Sequence, residues 1–302
     1  MPQHMLRLKI IFFFLAVVLL SSRLTWGGQI LVGSLNSREP ADEIKKFLPI
    51  STYLAKQLQS EGLEQGKVVV AKSVPEMAAF LRDGKVDLYI DSPFPSLAVS
   101  RLSGSKFLLR RWKKGIGEYH SVIFARKDSG INLLEDLQGK LISFEEPYSS
   151  TGYFLPKLSM MQKGLKLVAK NDVFDPVGQK EVGYVFSYDD ENTMVWVLRG
   201  GVKAGAMDHQ SYLKQARGSL EILRIIEKTF SIPRQIVSHR EDLSPKLVGR
   251  IKQILIQMDQ VEEGKKALRD FENTTKFDEI PSGSLEPFLK FQRVIEAEYG
   301  RR

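Results

Sequence analysis

The chain has 302 residues, 43% hydrophobic and 26% charged, with a formal charge of +8; that leaves room for two ordinary domains and excludes a disordered chain or a multi-span membrane protein. Its lysines and arginines are interspersed with acids, without a basic block or aromatic interleaving, so nucleic acid is not an expected partner. With no cysteine, disulfides, thiolate catalysis, cysteine metal sites and the lipidated cysteine of a bacterial lipoprotein are excluded.

Residues 1–27 read as a secretory signal peptide. Arg7 and Lys9 precede the apolar run Ile10 to Leu20, and Ser21, Ser22 and Thr25-Trp26-Gly27 follow. The apolar core is shorter than the roughly 20 residues of a spanning helix. The expected location is therefore the periplasm. Retention of the leader as an anchor is the alternative.

The mature part opens on a strand, Gln29 to Ser34, then a helix with Phe47, Leu48, Ile50, Tyr53, Leu54 and Leu58 on its apolar face. Lys67 to Ala71 is a strand, Pro75 to Leu81 a helix with proline at a favoured start, and Gly84 to Ile90 a turn and strand ending at Asp91. This alternation predicts an α/β layer with a parallel sheet. A second series follows: strand Tyr119 to Arg126, helical turn Ile131 to Leu137, strand Lys140 to Phe144, and helix Lys157 to Gly164. Strands at Gly164 to Val168 and Val182 to Ser187, a helix from Glu191 to Leu198, and strand Gly205 to Asp208 complete it. Leu223 to Glu227 and Gln235 to Ser238 read as a return crossover around Ile232-Pro233, and the C-terminal third as helical, with Leu247, Ile251, Ile254, Leu255 and Met258 on one stripe and Leu289, Val294 and Ile295 on a last helix.

Two α/β series imply a cleft, and ligands of open α/β sheets gather at the carboxyl ends of strands. The strand-end residues are Ser34, Ser73, Asp91, Ser149 to Gly152, Ser187 and Asp208. The stretch Glu145-Glu146-Pro147-Tyr148-Ser149-Ser150-Thr151-Gly152 joins a strand to a helix start. There, free amides and the helix dipole favour an anion, hydroxyls donate to its oxygens, and glycine admits close approach. A serine-rich helix start also serves as a plain cap.

Several ordered blocks resemble the periplasmic phosphate/phosphite/phosphonate-binding proteins, solute-binding subunits of ABC transporters. They are Phe47-Leu48-Pro49-Ile50 with Tyr53-Leu54, Ser73-Val74-Pro75-Glu76-Met77, Gly84 to Leu88, Tyr119 to Ile131, Asp136 to Lys140, Glu146 to Tyr153 with Pro156, and Ala206-Met207-Asp208. The resemblance implies a type II periplasmic-binding-protein fold: two α/β lobes joined by two crossovers around a ligand cleft. Lobe 1 would comprise residues 28–117 plus 229–302, and lobe 2 the inserted residues 118–228. It implies that Ser149, Ser150 and Thr151 bind oxyanion oxygens. Three positions depart from the family pattern. Asp190 stands where a histidine is usual, Asp91 near a usual tyrosine, and Arg234 near an expected carboxylate after the second crossover. Two aspartates facing a dianion would repel it unless protonated or paired with Arg234 or Arg38.

The expected ligand-binding set is Ser149, Ser150, Thr151, Gly152, Asp91, Asp190, Asp208, Ser73 and Arg234, with the aspartates accepting from an amine or hydroxyl end or serving as caps. The expected function is capture of a small anionic or polar solute, an oxyanion or phosphonate-like ligand, by a monomer that delivers it to an ABC permease. The alternative is a ligand-sensing partner of a membrane sensor kinase or cyclase. No enzyme, metal or cofactor is expected, because no P-loop, Gly-x-Gly-x-x-Gly, metal spacing or Ser-His-Asp order occurs. His209, beside Asp208, is the one histidine with a claim to the cleft.

Overall fold

The computed structural model describes residues 28–289 and Val294; the leader and Ile295 lie outside the described residues. Its first layer begins with β1 (Gly28–Leu35), α1 (Pro40–Gln57), β2 (Leu63–Ala71), α2 (Val74–Arg82), β3 (Leu88–Asp91), α3 (Pro93–Ser103) and β4 (Lys106–Lys113). The chain leaves through the short β5 (Glu118–Tyr119). It then forms β6 (Ser121–Arg126), β7 (Leu141–Phe144), α4 (Leu155–Gln162), β8 (Lys166–Ala169), β9 (Glu181–Phe186), α5 (Asp190–Leu198), β10 (Ala204–Asp208), α6 (His209–Gln215) and β11 (Leu223–Lys228). It returns through β12 (Ile232–Pro233) and completes the first layer with β13 (Gln235–His239), α7 (Pro245–Gln257), α8 (Glu262–Asp270) and β14 (Thr274–Asp278), before a last turn of helix, α9 (Glu286–Leu289).

Two six-stranded sheets result, ordered β14-β4-β13-β3-β1-β2 and β11-β6-β10-β7-β9-β8. In the first, β1 pairs in parallel with β2 and β3, while β13, β4 and β14 add antiparallel neighbours. In the second, β10, β7, β9 and β8 run parallel, and β6 pairs antiparallel with both β10 and β11. Two expectations are corrected here. The strand expected over Tyr119 to Arg126 is interrupted at His120, because β5 leaves the second sheet to pair with β12. The C-terminal third is not all helical, since β14 returns as a sheet edge on β4.

The two passages between sheets thus run side by side as an antiparallel ribbon, Tyr119 opposite Ile232 and Glu118 opposite Pro233. The amide of Arg234 donates to the Gly117 carbonyl at 2.7 Å, extending it.

Apolar faces explain the layering. Phe47, Ile50 and Leu54 of α1 and Leu58 just after it pack with Ile251 and Leu255 of α7 on one face of the first sheet, as the helical stripes predict. The cluster on the other face, around Val74, Met77, Phe94 and Val99, continues without a break into Phe154, Leu155 and Leu158 at the start of α4. Phe94 and Phe154 stack with an interplanar angle of 19°, and both are fully buried. The layers are therefore joined by core packing as well as by the ribbon.

Candidate functional site

Strand ends of both sheets converge on one cavity of about 270 Å³. The first layer contributes Leu35, Asp91, Ser92, Lys113, Lys114, Arg234 and Gln235 with Tyr119 of the ribbon. The second contributes Glu145, Glu146, Tyr148 to Thr151, Asp190, Asp208 and Ser211. Of the expected set, Asp91, Ser149, Ser150, Thr151, Asp190, Asp208 and Arg234 meet here. Ser73 and Gly152 do not line it. Ser73 caps α2, its hydroxyl accepting from the Glu76 amide at 3.3 Å. The Gly152 amide donates to Ser149 Oγ at 2.8 Å. A Cβ on Gly152 would lie 2.5 Å from both Cβ and Oε2 of Glu145, so its missing side chain makes room for Glu145. His209 also stays off the cavity wall; its ring packs on His120, with centroids 4.9 Å apart.

The serine turn works mainly for the fold. It begins with a π-type turn, Ser150–Phe154, that runs into α4. Ser149 is its cap. Ser150 Oγ accepts from the Phe94 amide at 3.0 Å and donates to Ser92 Oγ at 2.9 Å, tying the layers together. The Thr151 carbonyl accepts from Ser121 Oγ at 2.6 Å. The Thr151 side chain bonds Tyr119, so for a ligand this leaves the leading amides of Ser150 and Thr151, which helix geometry supplies with no intrahelical acceptor.

The acids divide the same way. Asp208 caps α6, accepting from the amides of Gln210 and Ser211 and from Ser211 Oγ at 2.7 Å. Asp189 caps α5 by accepting from the Glu191 amide at 2.7 Å, which frees Asp190 to face the cavity. Asp190 Oδ1 is buried without a hydrogen-bond partner. Asp91 accepts from the Tyr89 hydroxyl at 2.9 Å and the Ser92 amide at 2.6 Å.

Burial pushes the Asp91 carboxyl up to about 7. Burial, then the charges of Asp91 and Glu43, does the same to Glu146, with Arg38 pulling the other way. Glu145 and Asp190 are raised by burial first and by neighbouring acids second: Glu146 and Asp208 act on Glu145, and Glu145 and Asp208 act on Asp190. Like charges held close together in a cavity resist ionising together.

Two of the cations near these acids are engaged elsewhere. Arg38 lies 4.5 Å from the centre of the Tyr188 ring, bridging the layers. Lys113 Nζ is 2.7 Å from Glu272 Oε1. Burial works against the Glu272 charge, yet Lys113 and Arg111 hold its carboxyl down to about 2. Arg111, with no exposed surface, also donates to Gln235 Oε1 and to Thr274 Oγ1, fixing the strand that carries Arg234 into the cavity. Arg234 packs its guanidinium 4.2 Å from the Tyr119 ring centre, and its Nε is buried without a partner.

Glu145 and Glu146 are the residues whose importance sequence reasoning missed. Both stand in the stretch singled out above, but nothing local distinguishes a buried glutamate pair from a solvated one. Both are half-buried, Glu146 near the charges of Asp91, Glu43 and Arg38 and Glu145 against Gly152 and Ser149.

A family model for the ABC transporter, phosphonate, periplasmic substrate-binding protein matches residues 32–282. The phosphate-import protein PhnD of Mycolicibacterium smegmatis is 22% identical over 228 residues, 72% of this chain and 69% of that protein. Among solved structures, XAC2383 from Xanthomonas citri bound to ATP superposes with a TM-score of 0.81 at 22% identity, covering 90% of this chain and 98% of that one. PhnD1 from Prochlorococcus marinus in complex with methylphosphonate gives 0.66 at 19% identity, covering 89% and 99%. These likenesses establish the type II periplasmic-binding-protein fold.

Proposed function

The chain belongs to the phosphonate family of periplasmic ABC-transporter substrate-binding proteins, and from that premise we propose that it captures a small polar solute between two lobes and delivers it to an ABC permease. The lobes are residues 28–117 with 229–302, and residues 118–228, hinged at the ribbon of β5 and β12. The observation that carries this reading is the convergence of strand ends from both sheets on one cavity. A solute touching both walls favours the closed arrangement by its differential affinity.

The leading amides of Ser150 and Thr151 and the Arg234 guanidinium supply one seat for an acidic group on that solute. Arg234 Nε, buried and unpartnered, is the donor best placed to reward it. Export by the leader would bring the mature chain to the periplasm.

Native mass spectrometry of protein purified without denaturation identifies the retained solute. Deleting the gene should then abolish uptake of that solute in radiolabelled form. Uptake that continues unchanged would overturn the transport role.

A further inference from the structure

We propose that the solute's principal anchor is a cationic nitrogen group, ammonium or guanidinium, seated among Glu145 and Glu146 after β7, Asp190 at the head of α5 and Asp91 at the end of β3. This rests on the receptor reading above and names the chemistry of the ligand.

The first argument is charge accounting. The cavity wall carries Asp91, Glu145, Glu146, Asp190 and Asp208 against Lys113, Lys114 and Arg234. Lys113 is spent on Glu272 at 2.7 Å, and Arg38 at the rim is held over Tyr188. The acids therefore face one another across the cavity with too little positive charge to offset them, and a buried carboxylate without a counter-charge is costly. A ligand cation provides what the protein withholds.

The second argument is hydrogen-bond accounting. Asp208 is saturated by the start of α6, and Asp91 is held by Tyr89 and Ser92. Asp190 Oδ1 has no donor, although the cap that would have used it is supplied by Asp189. A buried acceptor left open in a cavity calls for an N–H from the solute.

The third argument concerns the place where an oxyanion would go. Glu145 already lies against the head of the serine turn, its Oε2 beside the Gly152 Cα and its carboxyl bonded by Ser149. A phosphate or phosphonate dianion approaching the amides of Ser150 and Thr151 meets that carboxyl at close range. One acidic group can still reach Arg234, so zwitterions and organic cations are admitted and simple dianions are disfavoured. The carboxylates are not grouped as a metal site among the described residues; the cation proposed for them is an organic one with several N–H donors.

Matched solutes test this on the full mature chain. Isothermal titration near neutral pH compares 2-aminoethylphosphonate with ethylphosphonate, and putrescine with 1,4-butanediol. The aminated member of each pair that binds should do so on the order of 100-fold more tightly than its partner, the size of effect expected for a buried charge pair. Asp190→Asn and, separately, Glu146→Gln should each weaken aminated binding at least about tenfold. Neither should weaken ethylphosphonate, which a merely structural defect would do. Ethylphosphonate or inorganic phosphate binding as well as the aminated probe overturns the cation anchor while leaving the receptor reading standing. No response to any solute, with no small molecule retained in native mass spectra, counts against both.

Discussion

The raised carboxyls make a prediction about the ligand-free protein that needs no knowledge of the solute: Glu146→Gln should stabilise it above neutral pH and not below pH 5. The Glu146 carboxyl moves from 4.5 to about 7, chiefly through burial and then through Asp91 and Glu43. That displacement disfavours its charge by about 3 kcal/mol. The amide of glutamine brings its own demand for partners, about 1 kcal/mol, which leaves an expected gain of about 2 kcal/mol. The sign follows from linkage. The folded state holds the proton more tightly than the unfolded chain, so stability is lost as pH rises from the unfolded value near 4.5 and the loss is complete above about 7. Asp91, Glu145 and Asp190 add losses of the same sign. The neighbours that modulate them are Glu43, Asp189, Asp208 and Ser211 among the acids and hydroxyls, with Arg38 and Arg234 as cations. His120, lowered by burial and by His209, gains stability over part of the same range and opposes the trend. Urea unfolding at about pH 5 and about pH 8.5 measures the result. Wild-type stability should fall across that interval, and the variant should flatten the fall. A wild-type curve that is level or rising would refute the premise that these acids are buried together without counter-charge.

Two further perturbations probe the frame of the site. Phe154→Ala removes half of the stack that joins the layers, at a cost of about 3–5 kcal/mol for a buried phenylalanine. Because its partners are Phe94 and the first-layer cluster, the loss should open the lobes, seen as a larger radius of gyration in small-angle scattering of ligand-free protein; an unchanged scattering curve would argue against packing across the layers. Arg111→Met leaves Glu272 buried beside Lys113 alone and releases Gln235, so a stability loss of about 3–5 kcal/mol is expected in urea melts, together with weaker ligand binding through a displaced Arg234.

Much of the architecture was legible because apolar runs such as Leu31 to Gly33 and Val68 to Val70, separated by helical stripes, leave few alternatives to a parallel sheet. Among the elements that escaped, three show the physical reasons. Helix α3 starts Pro93-Phe94-Pro95, which reads as a loop, yet both prolines fall in the first turn, where a missing amide costs little. Strand β4 carries Arg110, Arg111 and flanking lysines, which reads as a solvated face. Arg110 pairs with Asp278 and Arg111 with Glu272, both supplied from across 160 residues or more. Strand β14 is short, polar and recognisable only from its pairing with β4. At the site, strand ends were predictable as a class, which pointed to Asp91 and Asp208, while the family resemblance pointed to Asp190 and Arg234; all four line the cavity. What each would do was not predictable, because a cap, a bridge and an open acceptor differ only in what lies opposite. Asp189 and Asp190 are adjacent and identical in type, but one closes a helix and the other faces the cavity.

The serine turn shows why likeness to the family does not carry the family's ligand with it. Ser149 holds the Gly152 amide, Ser150 holds Ser92 and the Phe94 amide across the layers, and the Thr151 carbonyl is held by Ser121. The first caps the turn, the Ser150 bonds tie the two layers, and the last ties the turn to β6, none of them needing a solute. The turn can therefore keep its sequence under demands of folding alone, while residues with no such duty are free to alter the charge of the cavity. Asp190 is relieved of capping by Asp189, and Arg234 reaches the cavity from the return crossover. Glu145 sits in the space left by the missing side chain of Gly152. The turn ties the two layers through Ser150, and the proposed choice of solute rests on the groups facing it, Asp190 and Arg234, whose Oδ1 and Nε have no partner.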